Sequence, residues 1–239
     1  MLLNCLLAAA FATTAQTPDW ENPRIFEINK EKAHSYFISY NSEKDAIADN
    51  LNTLSYKLLN GNWKFNWSDK PADRALKFYE DNYDASQWKT IPVPSNWQMH
   101  GYGYAHYTNI TYPFPKNAPF IPHSHNPVGQ YKTSFNMPKD WLSREVFIHF
   151  GAVNSTFYLW VNGQNVGYSQ DSKLPAEFNI TRYLKQGENS LAVEVYQFSD
   201  GSYLEDQDFW RLAGIERDVF LHARPKLMVH DFFCPYHIR

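Results

Sequence analysis

Cysteine is almost missing from this chain, with only Cys5 and Cys234 among 239 residues. Cys5 lies in a segment expected to be removed, so no disulfide framework is available, and Cys234 reads as a plain buried or half-buried thiol. The nine histidines are scattered, and no Cys/His cluster has zinc spacing. Basic excess is absent too. With 22 Lys and Arg against 25 Asp and Glu, net charge is -3, which gives no reason to expect nucleic acid, whose binding rests on basic neutralisation of phosphates. No apolar run is long enough to span a membrane. Internal repeats, low-complexity tracts and alternating strand–helix units are also lacking, which removes solenoids and parallel α/β folds.

What remains is rich in aromatics, at 17%, within a 44% hydrophobic chain, enough for a sizeable core. Aromatic side chains favour strands and fill sandwich cores, and they also stack on the apolar face of a sugar ring. Both uses stay open from composition.

Residues 1–16, MLLNCLLAAAFATTAQ, resemble a signal peptide that lacks its basic n-region. The expectation is a periplasmic or secreted protein, with a cytoplasmic one as the alternative. Residues 17–55 are polar and weakly periodic and read as an extended arm lying across something else. Within it, Ser42-Glu43-Lys44-Asp45 is the start of a short helical turn. A short surface helix is expected over 71–79, with Pro71 in its first turn.

Strands are expected at 63–67, 130–136, 145–150, 156–161, 165–168, 191–197 and 218–222. Two show clear period-two alternation: Phe157, Leu159 and Val161 against Tyr158 and Trp160, and Leu191, Val193 and Val195 against Ala192, Glu194 and Tyr196. Asn162-Gly163 signals a type I′ hairpin, because both central residues need positive φ. Many short strands with frequent turns indicate an all-β jelly-roll sandwich over 56–224. The long connection over 92–127 belongs on one rim, where a rigid scaffold usually carries its binding residues.

Three segments combine polar and aromatic residues too densely for ordinary turns: 93–102, 107–113 and 199–211. The last packs Asp200, Glu205, Asp206 and Asp208 into nine positions, followed by Trp210 and Arg211. Clustered carboxylates can bind a hard cation, hold sugar hydroxyls beside an aromatic platform, or form the acid/base pair of a glycosidase. They can also make a solvated acidic turn paired with Arg211 and Arg217. The spacing does not match an EF-hand loop, and by itself it does not choose among the rest. Trp97 and His100 are candidates for lining an entrance, with core packing the competing role for Trp97.

These segments resemble the large β-galactosidases of glycoside hydrolase family 2. Asp19-Trp20-Glu21-Asn22-Pro23 opens the resemblance, followed by Leu59-Asn60-Gly61-Asn62-Trp63 and by Pro94 to Tyr102. Tyr107-Thr108-Asn109-Ile110-Thr111-Tyr112-Pro113, Gly167 to Ser172 and the acidic segment complete it, covering the chain from about Asp19 to Arg239. The resemblance implies a galactose-binding-like sandwich acting on terminal β-D-galactosides. It implies that Asn109 reaches the substrate, and that Asp200 contacts the galactosyl 6-hydroxyl and ligates a sodium ion. Asp200 has a competing role as a turn residue before Gly201. Glu205, Asp206 and Asp208 are expected to be structural, pairing with Arg211 or Arg217.

In the family the two catalytic glutamates and a magnesium site lie on a (β/α)8 barrel further along the chain. No such barrel is expected within 239 residues already occupied by strands, so this chain carries no catalytic residue of its own. Residues 225–239 look like the entry into an immunoglobulin-like domain. The implied partners are a β-galactoside and downstream catalytic domains or other subunits. A stand-alone carbohydrate-binding module, and a fragment that complements or oligomerises with another chain, remain as alternatives.

Overall fold

The computed structural model describes residues 17–40, 42–51, 55–205 and 208–235. The predicted leader at 1–16 lies outside them, as do Asp206 and the last four residues of the chain. Every strand pairing among the described residues is antiparallel. The larger sheet has seven strands in the order Glu27–Ile28, Gln164–Ser169, Thr156–Val161, Gly187–Tyr196, Val128–Met137, Gly61–Ser68 and Lys89–Val93. The smaller has four, in the order Ala176–Asn179, Glu145–Phe150, Val219–Arg224 and Tyr56–Leu58. The expected all-β sandwich is present.

The alternation seen in the sequence sets the inner faces. Phe157, Leu159, Val161, Leu191, Val193 and Val195 all join one core with Ile148, Phe150, Val219 and Leu221 of the smaller sheet. The Asn162-Gly163 turn has φ values of 49° and 73°, as a type I′ hairpin requires. Asn162 also fastens the turn to its neighbours: its Nδ2 donates to Asn189 Oδ1 at 2.7 Å, and its Oδ1 accepts from Ser190 N at 3.0 Å.

Both outer faces are covered as well, which period-two patterning does not foretell. On the larger sheet, Phe78, Tyr79, Tyr83 and Trp88 pack over Trp160 and Ala192, with the Tyr79 and Trp160 rings stacked 3° from parallel. The helix expected over 71–79 shrinks to a single 3-10 turn, Pro71–Asp73. Sheet side chains claim the backbone beyond it. Gln130 bonds both the N–H and the carbonyl of Ala75, at 3.0 and 2.9 Å, and Lys132 Nζ donates to the Phe78 and Glu80 carbonyls. Those groups are then unavailable to a helical ladder.

On the smaller sheet the cover is the amino-terminal arm. It adds Glu27–Ile28 as an edge strand beside Tyr168 and Ser169. It then lays His34, Tyr36 and Phe37 over Glu177, His149, Phe220 and Arg224. The structure the arm lies across is its own sandwich. Ser42 caps the helix Glu43–Ile47, its Oγ accepting from Asp45 N at 3.1 Å. Beyond Arg224, residues 225–235 carry no strand. Cys234 sits in that stretch and is exposed, because no layer covers it, in place of the buried or half-buried thiol expected.

Candidate functional site

Two small ribbons gather the three segments that stood out in the sequence. His106–Thr108 pairs with Phe209–Arg211, placing Tyr107 opposite Trp210. Gly214–Ile215 bridges Ser95–Asn96 and Val153–Asn154. Tyr112 closes the group, donating its hydroxyl to the Tyr203 carbonyl at 3.0 Å. The gathered loops border a cavity of about 580 Å³ lined by residues including Pro113, Asn154, Ser172, Phe198, Glu205 and Arg211.

Asp200 opens the 3-10 helix Asp200–Tyr203, whose Ser202 lines that cavity. Ser199 and Ser202 cap the helix start reciprocally, each side chain accepting from the other's backbone N–H. Asp200 is 7% exposed. Its Oδ1 accepts from Gln170 Nε2 at 2.7 Å, and Gln170 Oε1 in turn accepts from the Tyr168 hydroxyl at 2.5 Å. Its Oδ2 has no hydrogen-bond partner among the described residues. Burial pushes the Asp200 carboxyl above its ordinary value, opposed by the Gln170 bond and by the N–H groups of Gly201 and Asp200 itself. One oxygen is therefore held in place and the other left over, more than a backbone turn would require.

Asn109 follows the ribbon strand that ends at Thr108 and is exposed, its Oδ1 accepting from Ile110 N at 2.7 Å. Its amide nitrogen makes no bond among the described residues. Thr108 anchors it, the hydroxyl accepting from Arg211 Nε at 3.0 Å. Neither Asn109 nor Asp200 is among the residues that line the cavity.

Of the neighbouring acids, Asp206 lies outside the described residues, and Glu205 and Asp208 bond to Ser172 and Tyr107. Glu205 accepts from Ser172 twice, from N at 2.8 Å and from Oγ at 2.6 Å, and Asp208 accepts from the Tyr107 hydroxyl. Trp97 is fully buried in the core, while His100 is exposed. Gln170 and Ser172 carried no assigned role in the sequence, although both fall in the stretch Gly167–Ser172 that took part in the resemblance. Among the described residues no group of three or more His, Cys, Asp or Glu is placed to hold a metal ion. A single buried carboxylate oxygen suits a hard monovalent cation completed by neutral oxygens.

A rigid antiparallel sandwich with a polar–aromatic rim around one cavity defines the class as a β-sandwich ligand-binding domain. The chain belongs to the glycosyl hydrolases family 2, sugar binding domain, whose sequence profile matches residues 56–225. A β-galactosidase of Priestia megaterium (strain DSM 319 / IMG 1521) is 46% identical over 221 residues, which is 90% of this chain and 21% of that protein. This chain thus spans about a fifth of the length of that relative. Among solved structures, a calcium-binding mutant of Bacteroides uniformis β-glucuronidase 2 superposes with a TM-score of 0.55 at 23% identity, over 71% of this chain and 18% of that one. A β-glucuronidase from an uncultured Clostridium gives 0.55 at 23% identity, over 73% and 30%. Both show the fold.

Proposed function

We propose that this chain is the amino-terminal, sugar-positioning part of a β-galactosidase that hydrolyses terminal β-D-galactosides. The observation that carries the reading is Asp200, a buried carboxylate with one oxygen fixed by Gln170 and the other unpartnered beside the rim. Asp200 Oδ2 would take a sodium ion, which supplies positive charge shared between the carboxylate and a galactosyl hydroxyl. Asn109, with its amide nitrogen unbonded, donates to the same sugar. Holding the sugar in one orientation lowers the barrier by removing the entropy of alignment. The leader-like residues 1–16 favour export to the periplasm or beyond.

Retaining hydrolysis needs two carboxyls about 5–5.5 Å apart, free to act as nucleophile and acid. Here Glu205 and Asp208 are occupied by Ser172 and Tyr107. On this reading bond cleavage falls to carboxylates of the catalytic domains, and the magnesium site of the parent enzyme goes with them. The expected result is no turnover of a chromogenic galactoside by the 239-residue chain alone. Replacing the matching region of the Priestia megaterium relative with residues 17–235 should preserve its turnover. Asp200→Ala in that chimera should lower kcat/KM by about 10–100-fold, the worth of a hydrogen bond to a charged group. An unchanged kcat/KM would sink the assignment.

A stand-alone binding module is favoured by one feature, the exposed Tyr107 and Trp210 rings with centroids 5.5 Å apart on the ribbon. Calorimetry separates the two readings. Measurable galactose binding by the chain alone, with or without sodium, identifies a lectin-like module; a pocket that needs further domains gives no heat.

A further inference from the structure

Arg224 ends the last strand of the smaller sheet and is 3% exposed. Its guanidinium lies 4.9 Å from the Phe37 ring centroid and 5.5 Å from that of Phe147. Among the described residues neither Nη1 nor Nη2 has a hydrogen-bond partner. A guanidinium keeps its proton in proteins, so this is a full positive charge sealed beneath the arm with its terminal donors unused. Stacking on aromatic rings offsets part of the charge, but ring faces do not accept the in-plane N–H groups.

Among the described residues no carboxylate oxygen bonds Nη1 or Nη2. Glu145 is the cross-strand neighbour of Arg224, yet its Oε2 accepts from Asn179 Nδ2 at 2.8 Å and from Thr181 Oγ1 at 3.2 Å. Glu177 has both oxygens taken by histidines: His34 at 3.1 Å on Oε1, and His149 at 3.1 Å and His222 at 2.9 Å on Oε2. Asp231 accepts from the backbone N–H groups of Ser35 and Phe232. Beside Arg224 lies a cavity of about 10 Å³ bordered by Tyr36, Phe37, Phe220 and His222. That is room for one small species. A water would meet the donors and leave the charge; an anion meets both.

We propose that Arg224 binds one small monovalent anion of halide size between the amino-terminal arm and the outer face of the smaller sheet. The ion would fasten residues 36–39 of the arm to that face and contribute to stability by mass action.

The test uses the whole chain. Crystals grown in sodium bromide and measured at the bromine edge should show an anomalous peak within hydrogen-bonding reach of Arg224 Nη1 and Nη2. In solution, raising chloride at constant ionic strength, balanced with the bulkier methanesulfonate, should raise the melting temperature by about 2–5 °C. Arg224→Met should abolish that rise, and the exposed control Lys226→Met should keep it. A peak with no chloride effect on melting marks an ion held only at crystal concentration and overturns the proposal. No peak at Arg224 also overturns it, leaving the rings and a water as the guanidinium's partners. Should Arg224→Met fail to fold, the bromide map and the chloride titration of the natural chain still decide.

Discussion

Asp200 combines two demands that pull against each other. Burial raises its carboxyl above the ordinary value, so the folded chain binds that proton more readily than the unfolded chain does. Above the unfolded pKa the ionised form therefore costs stability, and the cost is relieved as pH falls through the folded pKa. Asp200→Asn keeps an acceptor for Gln170 and removes the charge. The expected outcome at pH 7 without sodium is a melting temperature equal to or above that of the natural chain, measured by calorimetry. Loss of sugar positioning in the chimera should accompany it, the usual exchange between stability and function at a site. The resemblance singled out Asn109 and Asp200, since the acidic spacing alone left a cation site, a sugar site and a solvated turn open. The partners of the neighbouring acids were not legible. Ser172 is 33 residues from Glu205 and Tyr107 is 101 from Asp208, and no local spacing encodes such pairings.

At the level of elements, the arm is the part whose role the sequence concealed. It is polar and weakly periodic because it contributes a few anchors to surfaces made elsewhere: Trp20 packs near Tyr196, Ile28 pairs with Tyr168, and His34 reaches Glu177. Gly167 is what lets its edge strand approach, since a methyl there would overlap the Ile28 carbonyl oxygen and the Phe178 ring. Gly167→Ala should destabilise the chain by about 1–3 kcal/mol, the usual cost of overpacking. It should also speed proteolytic cleavage within residues 17–40 relative to the sandwich. Denaturant midpoints and timed digestion check the two effects, and an unaltered digestion pattern would show that the arm docks without this contact. The expected strands were found in place, with Glu145–Phe150 and Thr156–Val161 matching to the residue. The 71–79 helix was lost because Gln130 and Lys132 outbid its own ladder.

Taken as a whole, the molecule is held under its arm by a titratable cluster. Glu177 is held well below the usual carboxylate range: burial works to raise it, and the hydrogen bonds from His149 and His222 outweigh that. Burial also depresses His222 below its ordinary 6.5. Both shifts make the unfolded chain bind more protons than the folded one on the acid side, so stability rises with pH there. It should be fully present above about 6.5 and fall on acidification, first as His222 charges and then, below about 4.5, as Glu177 is protonated. Glu177→Gln should cost about 1.5–3 kcal/mol at pH 7 and flatten the decline below 4.5. Urea midpoints measured from pH 4 to 8 test this, and parallel curves for the two proteins would refute it.

The sequence by itself determined the strands with their inward faces, the hairpin at Asn162-Gly163 and the capped turn at Ser42. Each depends on side-chain period or backbone φ within a few neighbouring residues. Its ordered motifs also pointed to the family and to Asn109 and Asp200. Only the tertiary structure decided that the arm folds back over its own sandwich and that Gln170 steers Asp200. It alone decided that Arg224 ends buried, with Nη1 and Nη2 lacking an acceptor among the described residues. Those outcomes depend on which distant surfaces meet and exclude water, and neighbours along the chain carry no record of that.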